Sequence, residues 1–152
     1  MTYDNLLTEA DQEGLIVKEK PLQSADGRIK GKRIAIRKDI PTLSQKACVL
    51  AEELGHYHTA VGNIIDMQDI RNVKQERQGR IWAYDKMIGL IGIIKAFQHH
   101  CLNKCDMAEY LDVTEEFLQE ALDYYKQKYG CYVTIDHYVI YFEPCLAVVE
   151  MY

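Results

Sequence analysis

The stretch CVLAEELGHYHT, Cys48–Thr59, sets two adjacent carboxylates and two histidines close together on one short segment. An α-helix advances about 100° per residue, so Glu52 and His56, four apart, share one face and stand about one turn from each other. Both can reach a single ion. Glu53 lies about 100° round from Glu52, near enough to touch a water on that ion without binding the ion itself. Leu50 and Leu54 point to the opposite face and should bury the helix. His58 falls nearer that side and reads as a satisfied or half-buried histidine. Cys48, one turn before Glu52, reads as a buried free thiol in preference to a ligand.

The spacing comes within one residue of the metallopeptidase signature H-E-x-x-H, in which the i and i+4 side chains hold zinc and the adjacent Glu serves as general base. Glu52 occupies the place of the first histidine. Zinc accepts carboxylate oxygen as well as imidazole nitrogen, so the substitution keeps a donor at that place. A second carboxylate beside Glu53 also strengthens hard-cation character and lets manganese or calcium compete.

Upstream, TYDNLLTEADQEG reads as a short helix ending at Gly14, and LIVKEKPL as a strand. SADGRIKGKRIAIRKDI holds the turn dipeptide Asp26-Gly27, a second turn near Gly31 and the alternating RIAIRK, which together predict a small antiparallel meander. Thr42 and Gln45 match a capping box, so the helix that carries the motif starts there and is predicted to run to about Gly62. Downstream, QERQGRIWAYDKMIGLIGIIKAF predicts a long helix that Gly89 and Gly92 bend or break. CDMAEYLDVTEEFLQEALDYYKQKYG predicts a short helix, a turn at Asp112 to Thr114, and a longer helix ending at Gly130. CYVTIDHYVIYFEP alternates as a hairpin around Asp136-His137.

The chain has 152 residues, 48% hydrophobic and 27% charged, in the range of an ordinary globular protein and too apolar for a disordered one. One domain over residues 1–152 is expected. A net charge of −5 argues against general affinity for nucleic acid. The basic run Arg28, Lys30, Lys32, Arg33, Arg37 and Lys38 reads first as a solvated strand face. With an acidic N-terminus and no long apolar run, a cytoplasmic protein without membrane contact is expected. The five cysteines form no regular framework, which suits reduced thiols.

The order of sheet, EELGH helix and then a helix with ERQGRIWAYDKMIG resembles the ImmA/IrrE family of zinc metallopeptidases, whose helices carry H-E-L-G-H and E-x-x-A-N-x-F-A-x-x-L-L-M-P. From Glu76, this chain has Gly79 for Ala, Arg80 for Asn, Trp82 for Phe and Ala83 for Ala, with Gly89 where Pro is usual. The resemblance covers most of residues 14 to 130. It implies an α+β fold: a small antiparallel sheet packed on a metallopeptidase-like helical core, with a C-terminal helix-turn-helix-like pair and a β-hairpin. It also implies zinc, with manganese or another divalent cation as an alternative, held by Glu52, His56 and Glu76, and Glu53 as the catalytic acid/base. Asp85 competes with Glu76 as the downstream acid. The activity implied is metal-assisted peptide hydrolysis, directed at a helix-turn-helix repressor of a phage or mobile element.

Three other readings stay open from the sequence. A pseudo-peptidase would keep the fold and bind its repressor partner without cutting it. A winged-helix DNA-binding protein would use TEEFLQEALDYYKQKYG as its recognition helix, where Glu115, Glu116, Glu120 and Asp123 repel phosphates. A second metal site in HHCLNKC, from His99, His100, Cys101 and Cys105, has no familiar zinc spacing and reads better as a helix end.

Overall fold

The structure, a computed structural model, describes residues 1–59 and 73–152. The chain divides into two compact units, Met1–Lys86 and Met87–Tyr152.

The first unit opens with helix α1 (Tyr3–Gln12), where the Thr2 hydroxyl accepts from the Asn5 N–H at 3.1 Å and the Asn5 side chain reciprocates at the Thr2 N–H. Such a cap contributes about 1 kcal/mol. Strands β1 (Ile16–Lys20), β2 (Gly27–Lys30) and β3 (Arg33–Arg37) follow, with the two-residue turn Gly31-Lys32 joining β2 to β3. The sheet order is β1-β3-β2, with β2 antiparallel to β3 and β1 parallel to it. The sequence predicts a meander, and the parallel edge strand corrects it. The reason lies in burial: β3 carries Ile34 and Ile36, 2% and 0% exposed, whereas β1 offers only a half-buried Val17. The most apolar strand takes the centre.

Helix α2 (Leu43–Thr59) starts at the predicted box, with the Gln45 N–H donating to the Thr42 hydroxyl at 3.1 Å and the Thr42 N–H to the Gln45 side chain at 3.3 Å. Its predicted end near Gly62 lies outside the described residues. Ala47, Leu50, Ala51 and Leu54 bury its inner side against α1 and the sheet, and Lys46 pairs with Glu19 of β1. Burying a leucine in this way contributes about 1.5–3 kcal/mol. Helix α3 (Val73–Met87) carries the second motif.

The predicted long helix is two helices. Ile88 leaves helical geometry, and Gly89 takes φ +62°, a left-handed backbone that glycine adopts without steric cost. Gly92 stays inside helix α4 (Gly89–Gln98). Helix α5 (Lys104–Leu111) ends at Asp112 with φ 60°, and Thr114 caps helix α6 (Glu115–Tyr129) by accepting from the Phe117 N–H at 3.1 Å. Strands β4 (Tyr132–Ile135) and β5 (Tyr138–Tyr141) form the expected hairpin at Asp136-His137, and β6 (Ala147–Glu150) extends it on the far side of β5. Phe117, Leu118, Ala121, Leu122 and Tyr125 of α6, with Ile140 and Val148, are buried in this unit. The chain is therefore α+β, with small sheets, a helical core and a helix-turn-helix-like pair.

Candidate active site

A buried charge costs free energy unless it is partnered, so the charged groups a fold chooses to bury mark a place of interest. Among the described residues, the buried polar or charged side chains are Glu53 and His56, 5% and 7% exposed. They stand three residues apart on α2, and different neighbours enclose each.

Glu53 lies under strand β2. A methyl group on Gly27 would come within 2.8 Å of Val49, 3.0 Å of the Glu53 Cγ and 3.1 Å of its Oε1, so only glycine lets the strand lie this close to the carboxylate. The Arg37 N–H donates to the Asp26 carbonyl at 2.8 Å. Alternation along an antiparallel ladder then turns the N–H and C=O of Arg28 and Lys30 toward β3, and those of Gly27 and Ile29 outward from the edge. Among the described residues, no strand pairs with this outer edge of β2, whose inner face covers Glu53.

His56 lies against α3. Its Nε2 is 3.2 Å from Oε2 of Glu76, and its ring packs on the backbone of Gly79, where a Cβ would fall 2.4 Å from Nδ1. One residue earlier, a Cβ on Gly55 would fall 2.2 Å from the Gly79 carbonyl oxygen. The two helices cross backbone to backbone at Gly55 and Gly79, and that contact holds the imidazole beside the carboxylate. Glu76 is the downstream acid at His56, while Asp85 is exposed.

Two donors each about 2.0–2.2 Å from a tetrahedral zinc are separated by roughly 3.3–3.6 Å. The His56 and Glu76 atoms, 3.2 Å apart, are close to the spacing of two ligands sharing one ion. The half-buried Glu52 does not join them in a three-donor set: among the described residues, no group of three or more His, Cys, Asp or Glu side chains is arranged to hold a metal. The spacing of the pair fits two ligands of one ion, and Glu52 stands one helical turn from His56 on α2.

His58 is exposed and satisfied. Its Nε2 lies 2.8 Å from Glu13, and its ring stacks on Trp82 at 4.8 Å, tying α2 to both α1 and α3. Cys48 is buried, as its apolar reading predicts. At the HHCLNKC segment, His99 stacks on Tyr110 at 4.6 Å, the Cys101 thiol lies 3.7 Å from the Asp106 carbonyl, and Cys105 is exposed. That segment is a helix end. Sequence reasoning missed the roles of Gly27, Gly55 and Gly79. The replacement of the family's Ala by Gly79 was the available signal, since the missing methyl is what admits the His56 ring.

A family model described as the IrrE N-terminal-like domain, Peptidase M78, matches residues 10–123. The chain belongs to this family. The match spans both motif helices and reaches into α6, so both helices belong to a metallopeptidase-like domain. No curated protein and no solved structure matches the chain. Among the described residues, no helix is long and apolar enough to cross a membrane.

Proposed function

We propose that the chain is a metal-dependent endopeptidase of the cytoplasm whose substrate is a helix-turn-helix repressor of a phage or mobile element. The observation that carries the peptidase reading is the burial of Glu53 and His56 on one helix, α2, the first under strand β2 and the second against Glu76. The repressor as substrate rests on the family resemblance.

His56 and Glu76, with Glu52 as third donor, would hold zinc or manganese. Bound there, the ion supplies Lewis-acid polarisation of the scissile carbonyl and acidifies a water. The remaining work belongs to the chain. An extended peptide adds to the outer edge of β2 through the outward N–H and C=O groups of Gly27 and Ile29, in the manner of strand addition. Its scissile carbonyl then lies beside Glu53, whose carboxylate accepts the proton of the attacking water and returns it to the leaving amine. The enclosure under β2 leaves Glu53 only 5% exposed, which limits its contact with bulk water.

A second reading, binding of the repressor without cleavage, is favoured by one residue: Glu52 stands where the family has histidine. Glu53→Gln separates the two. Glutamine keeps the shape and cannot accept the proton, so cleavage of a purified helix-turn-helix repressor by the zinc-loaded protein should fall by about 100-fold or more while repressor binding persists. Equal cleavage by variant and parent would remove Glu53 from the mechanism, and binding without cleavage by the parent would establish the second reading.

A further inference from the structure

The solvent face of the first sheet is a grid of cations around one small residue. The register sets Ile16, Arg33 and Lys30 in one row across the sheet, Lys18, Ala35 and Arg28 in the next, and Lys20 with Arg37 in the third. All belong to the same face, because side chains two apart on a strand point the same way. The opposite face carries Ile29, Ile34 and Ile36 into the core. Ala35 forms the floor of an open dish of about 230 Å³ walled by Lys18, Lys20, Arg28, Lys30 and Arg33.

Most of this charge is uncompensated. Arg37 is paired with Asp26 at 2.9 Å and Asp39 at 3.0 Å, and Arg28 donates to the Ser24 hydroxyl at 2.6 Å. Lys18, Lys20, Lys30 and Arg33 are exposed and have no carboxylate partner among the described residues. Like charges clustered on neighbouring strands destabilise a sheet. With six of the 18 Lys and Arg of a chain of net charge −5 on one sheet face, that face holds a local potential opposite in sign to the net charge.

We propose that this face is a docking surface for an acidic protein segment in extended conformation, with carboxylates at alternate residues. Such a segment repeats its carboxylates every ~6.6–6.8 Å, the spacing of the rows on the sheet, so successive carboxylates meet Lys30 and then Arg28 along β2. Ile16, 48% exposed, and Ala35 give an apolar floor for the methylenes of the glutamates. A nucleic acid is the poorer occupant. The face presents no aromatic ring on which a base could stack. A long polyanion would also meet the negative charge of the rest of the chain, whereas a short segment senses only what lies within about 8–10 Å. The proposal stands whether or not the chain cleaves what it binds.

The test uses the full chain and fluorescence anisotropy with two labelled probes, a peptide of alternating Glu and Thr about eight residues long and a DNA duplex of about 20 base pairs. The peptide should bind at about 50 mM salt and weaken by tenfold or more at about 300 mM, as contacts between exposed charges do. The variant Lys18→Gln/Lys30→Gln/Arg33→Gln should lose about tenfold or more of this affinity with an unchanged circular dichroism spectrum, and Lys126→Gln/Lys128→Gln in the second unit should lose none. Equal peptide binding by the triple variant and the parent would overturn the proposal, as would no binding of the peptide by the parent at low salt. Tighter binding of the duplex than of the peptide, abolished by the same three substitutions, would overturn it in favour of nucleic acid.

Discussion

The segments Glu52–His56 and His99–Cys105 are similarly rich in ligand-type side chains, yet the fold treats them differently. On α2, Glu53 and His56 are buried because α3 and β2 close over them at three glycines, Gly55, Gly79 and Gly27. Between α4 and α5, His99 and His100 are exposed at a helix end, the backbone turns through His100 at φ 62°, and the thiols meet a carbonyl and a carboxylate of their own unit. Among the described residues, these two histidines and two cysteines are not arranged to hold a metal. A site forms where backbone approaches backbone closely enough to enclose the side chains, and glycines placed opposite a motif are the better signal.

The comparison breaks first at Gly55. A methyl group there would meet the Gly79 carbonyl at 2.2 Å, backbone against backbone, with no flexible side chain to give way. Gly55→Ala should cost about 3 kcal/mol, the upper part of the overpacking range. That corresponds to a fall in melting temperature of roughly 6–12 °C, read by calorimetry. A change within about 1 °C would mean that the helices do not cross where the structure has them.

Gly79→Ala acts on the same crossing through a side chain. The His56 ring can swing away from a methyl group, so the stability cost should be only about 1–2 kcal/mol. The function should suffer more, because the ring that moves is the one held beside Glu76. Zinc affinity should fall by about tenfold or more. An unchanged affinity would show that Gly79 does not position His56.

The smallest effect belongs to the helix end. The Glu115 carboxylate, accepting a hydrogen bond from the Cys105 thiol, holds that thiol above the usual cysteine range, and nearby Asp106 and Glu109 push the same way. A raised pKa means less thiolate at neutral pH, and the thiolate is the nucleophile. Glu115→Gln should therefore speed alkylation of Cys105 by iodoacetamide a few-fold at pH 7, with no change in metal content. A slower reaction, or loss of bound zinc, would return this segment to consideration as a site.

What the sequence made legible was local. Thr42 with Gln45, the turn at Gly31, and Asp112 with Thr114 each fix a boundary through a side chain or a backbone angle within a few residues, and all three lie where expected. The parallel pairing of β1 was not legible, because it depends on β3 competing for the centre with Ile34 and Ile36. Strand β6 was missed since AVVE is only four residues long and is recruited by pairing with β5. At the site, Glu53 is buried and its neighbour Glu52 is half-buried. Helical phase alone could not show that Glu53 would be enclosed by a strand, or that Glu76 and not Asp85 would reach His56, because both depend on how α2 meets its neighbours.

If His56 and Glu76 at the crossing of α2 and α3 hold a metal ion, a zinc titration by calorimetry reads it. The parent should bind one zinc per chain. Glu76→Gln should weaken that binding by tenfold or more, Asp85→Asn should leave it unchanged, and Glu52→His should strengthen it by supplying an imidazole one turn from His56. A parent that binds no divalent metal, or a Glu76→Gln variant that binds zinc as tightly as the parent, would contradict the account.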